Sequence, residues 1–382
     1  MKKAIGTLSA LCFLLLLAGC RTEKMPEREI QNNKLSFSVD IEAVSYIEEA
    51  HIFTAKFMRF DEKLVTDALL QAPVTNTEIR MEGKAYIAVG NNQTEYLTVY
   101  DDGDAFGGKT GLDGGFIYGV LSEDTIYYNQ SLTVIGAEYP DISEQTSPWL
   151  NRNDYLNDKD LHFKPKEEAL AEITELFEKT FTPNIDVQLT ESYNLDVANL
   201  QRHAELYAEG SDYYDLPRMP EEKDEAYVFI LRQEVDGIPV LNRIWEERWI
   251  NEDMPSAVST INAVYSQNGI IDFFVQDIVE ILESKEKKTI LSPEEAMKAL
   301  QADFDKRITL LDTDIVDMEL NYINVYVNNE QRLIPVWVFV SAQLIESDKN
   351  LPPEEQDPTH TEYTTLVFDA STGKRLRQAV IT

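Results

Sequence analysis

The chain has 382 residues, of which 43% are hydrophobic, and 68 acidic side chains outnumber 34 lysines and arginines to give a formal net charge of −34 at pH 7. The apolar content is sufficient for packed cores in two or three domains, so the acidity does not indicate disorder. This charge argues against nucleic acid and anionic headgroups as ligands and favours cations or basic partners.

The first predicted element is a leader at residues 1–19. Two lysines follow Met1, and the mostly apolar stretch Leu8–Leu17 is too short to span a bilayer. Leu17-Ala18-Gly19-Cys20 resembles the bacterial lipobox, in which the chain is cut before the cysteine and the thiol receives a diacylglycerol. The resemblance implies lipidation of Cys20 and a mature protein anchored at the extracytoplasmic face of the cell membrane. The alternative is an ordinary secretory signal with a chance cysteine.

The second cysteine, Cys12, lies in the leader and would leave with it. The mature chain then keeps one thiol, already used for lipid, which excludes a disulfide, a cysteine-ligated metal and a catalytic cysteine. Residues 20–35 are polar and without periodicity, and we expect them to form a tether between lipid and body.

Residues 36–160 are predicted to form a β-rich N-terminal domain, with one short helix over Glu62–Leu70. Gly90-Asn91-Asn92-Gln93 lies between two strand-like segments and predicts a hairpin. Asp101 to Asp113 has some features of a calcium loop, but Phe106 stands where an oxygen ligand is needed, so an acidic loop is the alternative and no metal is assigned.

Two similar units follow, over 161–285 and 286–382, and the first carries an insert over 184–225. Each opens with an amphipathic helix, at Pro165 and Pro293, and continues into a strand, an Ile-Pro-Val segment and a Gly-containing turn before the last strand. Ser292 and Glu295 predict a capping box for the second helix. The pattern predicts an α+β fold in which each helix packs across its own antiparallel sheet.

The strand–turn–strand segment Gln233–Val240, with Ile334-Pro335-Val336-Trp337 and Phe368–Gly373 of the second unit, resembles PepSY-like and propeptide-type domains, or a cystatin-like unit. Residues 165–382 are similar to extracytoplasmic regulators of the cell-wall sensor kinase in Gram-positive bacteria and to lipoproteins of gut anaerobes. The resemblance implies non-enzymatic roles, such as inhibiting a protease or modulating a membrane sensor.

The sequence offers no marked catalytic or cofactor site. The four histidines lack metal-binding spacing, and no Gly-x-Ser-x-Gly elbow is present. Aromatic residues suggest contact surfaces at Trp245 with Trp249 and, in the insert, at Tyr207, Tyr213 and Tyr214, although half-buried packing explains the tryptophans better than a binding platform does.

We therefore expect a non-enzymatic binding or regulatory module that is anchored to the membrane by its lipid and acts on an envelope or membrane protein, with no cofactor and with oligomeric state left open. The strands near Ile238-Pro239-Val240 and Ile334-Pro335-Val336 are predicted to be open edges for a partner strand, because a strand proline is typical of an edge. The alternatives are a lipoprotein that binds a solute, either a glycan or a peptide, and a hydrolase with an unmarked pair of carboxylates.

Overall fold

The computed structural model describes residues 34–376, except for 81–82, 91–92, 101–113, 123–154, 157–158, 182–184, 211–217, 244, 246–258, 307–310, 328–329 and 348–358. Fifteen strands and four α-helices are described. The strands are β1 Leu35–Phe37, β2 Glu49–Phe57, β3 Val74–Arg80, β4 Gly83–Gly90, β5 Gln93–Tyr100, β6 Phe116–Ser122, β7 Asp186–Leu195, β8 Ala226–Val235, β9 Ile238–Pro239, β10 Thr260–Ser266, β11 Gly269–Gln276, β12 Val279–Thr289, β13 Thr313–Val327, β14 Glu330–Ile345 and β15 His360–Asp369. The helices are α1 Glu62–Leu69, α2 Lys166–Glu175, α3 Val197–Gly210 and α4 Pro293–Phe304, and α2 continues as a π-helix over Leu176–Phe181.

One sheet has six strands, in the order β1-β13-β14-β2-β12, with β15 also paired to β14. Helix α4 packs on it, since its buried side chains share a core with strand residues that include Trp337, Phe339 and Phe368. The predicted capping box is confirmed: the Glu295 N–H donates to Ser292 Oγ (3.3 Å), and the Ser292 N–H donates to Glu295 Oε2 (2.9 Å).

The other sheet has nine strands, in the order β3-β4-β5-β6-β11-β10-β8-β7, with β9 paired to β8. Helix α2 and its π-helical continuation cover one face through a core of Ala169, Ile173, Phe177 and Phe181 against strand aromatics. Helix α3 and Tyr155 cover the other face over β7, β8 and β10. The predicted hairpin is confirmed, because Gly90 pairs with Gln93.

The predicted fold class is wrong. The described part of the protein is mostly β, with 55% strand and 21% helix, and the two large sheets are not helix-plus-sheet units that each close on themselves. Strands β1 and β2 from the N-terminal segment complete the six-stranded sheet, whereas β3 to β6 extend the nine-stranded one. β12 leaves the first predicted unit and pairs with β2 instead. The physical reason is that strands pair with partners far away in the sequence until their edges are covered, and the local hydrophobic pattern contains no information about these long-range partners.

Direct bonds join the two sheets. Val240 forms a parallel bridge to Tyr322, and the Leu241 N–H donates to the Tyr322 carbonyl (2.8 Å). Arg232 of β8 is buried and forms a bidentate ion pair with Glu319 of β13, in which Nη2 donates to Oε1 at 2.5 Å and Nη1 donates to Oε2 at 2.8 Å. Burial raises the pKa of Glu319, but the Arg232 guanidinium outweighs that effect and holds it below the ordinary value.

Candidate functional site

Several predicted site residues lie outside the described residues: Cys20, the Asp101–Asp113 loop, Trp149, Trp249, Tyr213 and Tyr214. Tyr207 lies on α3. Lipidation and calcium binding therefore stay predictions. No helix in the described part of the chain is long and apolar enough to cross a membrane.

The tryptophans whose side chains are described serve packing. Trp337 is fully buried, and its indole N–H donates to the Leu291 carbonyl (3.1 Å). Trp245 belongs to a small core with Ile323 and Val325. Within the described ranges, no group of three or more histidine, cysteine or acidic side chains is arranged to hold a metal ion.

The two predicted open edges are closed. Pro239 pairs with Glu234 of β8, and the following Val240 bridges to the other sheet. Pro335 pairs with Tyr322 of β13, and on its other side its carbonyl accepts a hydrogen bond from the Ala370 N–H (3.1 Å). Pro239 is the last residue of the two-residue β9, and Pro335 lies where the second neighbour of β14 changes from β2 to β15.

Two of the outer strands, β12 of the six-stranded sheet and β3 of the nine-stranded sheet, differ in chemistry. Six of the eleven β12 residues are charged, and two register irregularities interrupt its pairing with β2. Charges and bulges are the means by which proteins block an edge against another strand. β3, Val-Thr-Asn-Thr-Glu-Ile-Arg, has only two charged residues and one irregularity, near Val74.

β3 is exposed along most of its length. Ile79 is 77% exposed and Val74 43% exposed, and the neighbouring Val89 of β4 is also exposed. The Thr77 N–H donates to the side-chain oxygen of Asn76 (2.9 Å), a bond that an incoming strand can replace. The edge thus offers backbone groups and apolar side chains to an extended segment.

Polar contacts hold this edge in place. The fully buried Glu95 of β5 accepts hydrogen bonds from the N–H groups of Gln71 and Ala72 at 2.9 and 3.0 Å, just before β3 begins. Glu62, at the start of α1, pairs with Lys84 Nζ (2.8 Å) and accepts a hydrogen bond from the Tyr86 hydroxyl. The Lys84 hydrogen bond lowers the pKa of Glu62, so this anchor stays ionised at neutral pH.

A second feature lies inside the nine-stranded sheet, on the face opposite α2. Asp272 of β11 is paired with Gly119 of β6 and with Val264 of β10. Burial raises the pKa of Asp272 to about 7. No signal in the sequence marks Asp272, because one acidic residue in a strand is not distinguishable among 68 acidic residues.

No family model and no curated protein matches the chain. A solved structure of an uncharacterized protein from Eubacterium rectale ATCC 33656 is similar in fold, with a TM-score of 0.56 and 18% sequence identity over 91% of this chain and 92% of that one. At this identity the similarity concerns the fold alone, and it extends over nearly the whole of both chains.

Proposed function

We propose that this protein is a lipid-anchored, extracytoplasmic binding module that captures an extended segment of an envelope or membrane protein by adding it to the β3 edge. The observation that carries the proposal is the contrast between β12 and β3, two of the outer strands of the two sheets. β12 has the charges and bulges that repel a strand, whereas β3 is exposed, weakly charged and apolar at Val74 and Ile79.

Charge and exposure define the partner segment. The chain has a net charge of −34, so a basic segment gains long-range attraction to it. Apolar residues at alternate positions of the segment would cover Ile79 and its neighbours, because alternate side chains of a strand share a face. We therefore expect an extended, basic segment with alternating apolar residues.

Anchoring supports a local role. The lipobox-like sequence ending at Cys20 supplies the lipid, and the polar residues between Cys20 and β1 supply reach away from the membrane. Two or more acyl chains anchor a protein stably, which raises the local concentration of a site for partners in the same membrane. A Cys20→Ala variant is expected to leave the membrane fraction and to lose partner capture in cells while keeping its binding to a purified partner.

A photocrosslinking amino acid at position 79 tests the edge in intact cells, with the same amino acid at Leu282 of β12 as the matched control. Leu282 is 51% exposed, so both positions are accessible. The expected result is one envelope protein joined at position 79 and not at position 282, through an extended segment that binds the purified chain as a peptide.

Thr77→Pro is the disabling variant. The Thr77 N–H is directed to Asn76 rather than to β4, so its removal leaves the ladder to β4 intact but deprives an incoming strand of a donor. Capture that persists in Thr77→Pro, or that occurs equally at position 282, would overturn the proposal. A crosslink between two copies of this chain would show that the β3 edge serves self-association and not the capture of a different protein.

A further inference from the structure

We propose that Asp272 and Asn262 form a binding site for a primary ammonium group on the face of the nine-stranded sheet opposite α2. The site is distinct from the β3 edge, and nothing in the proposed function requires it.

The register places both polar side chains on one face. Asp272 stands opposite Val264, and Asn262 stands opposite Phe274, so Asn262 and Asp272 are diagonal neighbours on adjacent antiparallel strands. Diagonal neighbours lie about 7–8 Å apart, a separation that one small polar group can bridge.

Neither acceptor has a donor among the described residues. The side-chain oxygen of Asn262 is buried with no hydrogen-bond partner. Desolvation is the sole cause of the raised pKa of Asp272, with neither a hydrogen bond nor a nearby charge to offset it. A desolvated acceptor without a donor costs free energy, so the pair is arranged for a donor that the described residues do not supply.

Gly119 leaves room for that donor. A methyl group built on Gly119 would meet nothing within 4 Å except Asp272 Oδ2, at 3.8 Å. Tyr96 of β5 faces Gly119 from the strand on its other side, and Phe274 follows Asp272 two residues along the same face. Both aromatic side chains are half-buried and thus border the space above the glycine.

This combination suits an organic ammonium group. An –NH3+ group has three donors for the carboxylate and the amide oxygen, and aromatic rings attract cations. The net charge of −34 concentrates cations near the protein and disfavours anionic ligands. The same chemistry is carried by a free diamine and by a lysine side chain of a peptide, and the experiment separates the two.

The test is calorimetric titration of the full mature chain at pH 8, where the Asp272 carboxyl is ionised. The probes are cadaverine and the tripeptide Ala-Lys-Ala, with 1-pentanol and Ala-norleucine-Ala as uncharged matches and glucose as a polyol. We expect one amine probe to bind and its uncharged match not to bind. Preference for cadaverine indicates a free solute, and preference for the tripeptide indicates a lysine side chain.

Two variants and one control decide the outcome. Asp272→Asn keeps the shape and Gly119→Val fills the space, and each is expected to weaken amine binding at least about tenfold, as for a lost charge-assisted hydrogen bond. Glu283→Gln on β12 removes one exposed carboxylate and should leave binding unchanged.

Three results would overturn the proposal: no binding of either amine, equal binding by native and Asp272→Asn chains, or glucose binding that depends on Asp272. Ile79 and Thr77 lie on β3, whereas Asp272 lies on β11. Absence of ammonium binding would therefore leave the proposal of partner capture at β3 unaffected, and absence of partner capture would leave the ammonium site unaffected.

Discussion

Asp272→Asn is expected to stabilise the protein at alkaline pH and to do so much less in acid. The folded-state pKa of about 7 lies above the ordinary value of 3.8, so the folded state binds the proton more tightly than the unfolded chain does. The contribution of this carboxyl to stability is therefore fully present below about pH 4 and is lost as pH rises through 7.

The magnitude follows from the shift. A displacement from 3.8 to about 7 corresponds to about 4 kcal/mol across the whole window, and to about 2–3 kcal/mol between pH 5 and pH 8. The asparagine variant has the same shape without the titrating proton. Its advantage over the native chain in free energy of unfolding should grow by that amount between the two pH values.

Urea unfolding followed by tryptophan fluorescence at pH 5, 6, 7 and 8 measures this difference. Other titrating groups cancel because both chains share them. Glu283→Gln, at an exposed position of β12, is the control and should show no growing advantage. An Asp272→Asn advantage that is constant across the pH range would refute the assignment of an isolated, buried carboxyl.

Three further predictions concern the scaffold. Arg232→Leu leaves the Glu319 carboxylate without its partner and should destabilise the protein by about 3 kcal/mol. The double variant that also carries Glu319→Leu should recover part of this loss. Equal losses of stability for the single and the double variant in urea unfolding would contradict a coupled pair. Leu300→Ala opens a cavity under α4 and should cost about 2–5 kcal/mol; a smaller loss in urea unfolding would mean that α4 is loosely packed on the six-stranded sheet. Ser292→Ala removes the α4 cap and should cost about 1 kcal/mol, while Ser292→Asp should retain most of the stability; thermal melts that do not separate the two variants would argue against the cap.

Local elements were predictable because their causes lie within a few residues. Ser292, Pro293 and Glu295 satisfy the first N–H groups of α4, and the structure has that helix begin at Pro293. The amphipathic pattern after Pro165 predicted a helix with one buried face, and Ile173, Phe177 and Phe181 of α2 and its π-helical continuation form that face. The hairpin after Gly90 followed from turn residues between two alternating segments.

The candidate sites were not predictable in the same way. β3 lies at an edge because, within the described part of the chain, β4 pairs with one side of it and no strand pairs with the other. This is a property of the strand order in the sheet and not of the seven residues of β3. Asp272 acquires its raised pKa from the strands around it, not from its neighbours in sequence. The prediction of open edges at the two Ile-Pro-Val segments was wrong. A proline shows that its position donates no backbone hydrogen bond to a neighbouring strand, but it does not show which element lies beside it.

The sequence by itself determined where helices and turns form and which faces are apolar, because capping, turn chemistry and periodicity act over one or two turns of chain. Only the tertiary structure decided how the strands divide between two sheets. Ser36 bonds to Asp314 across 278 positions, and β2 pairs with both β12 and β14. Such contacts are selected by the burial of apolar faces and by the need to pair every buried backbone group, and both requirements are met only when the whole chain is in place.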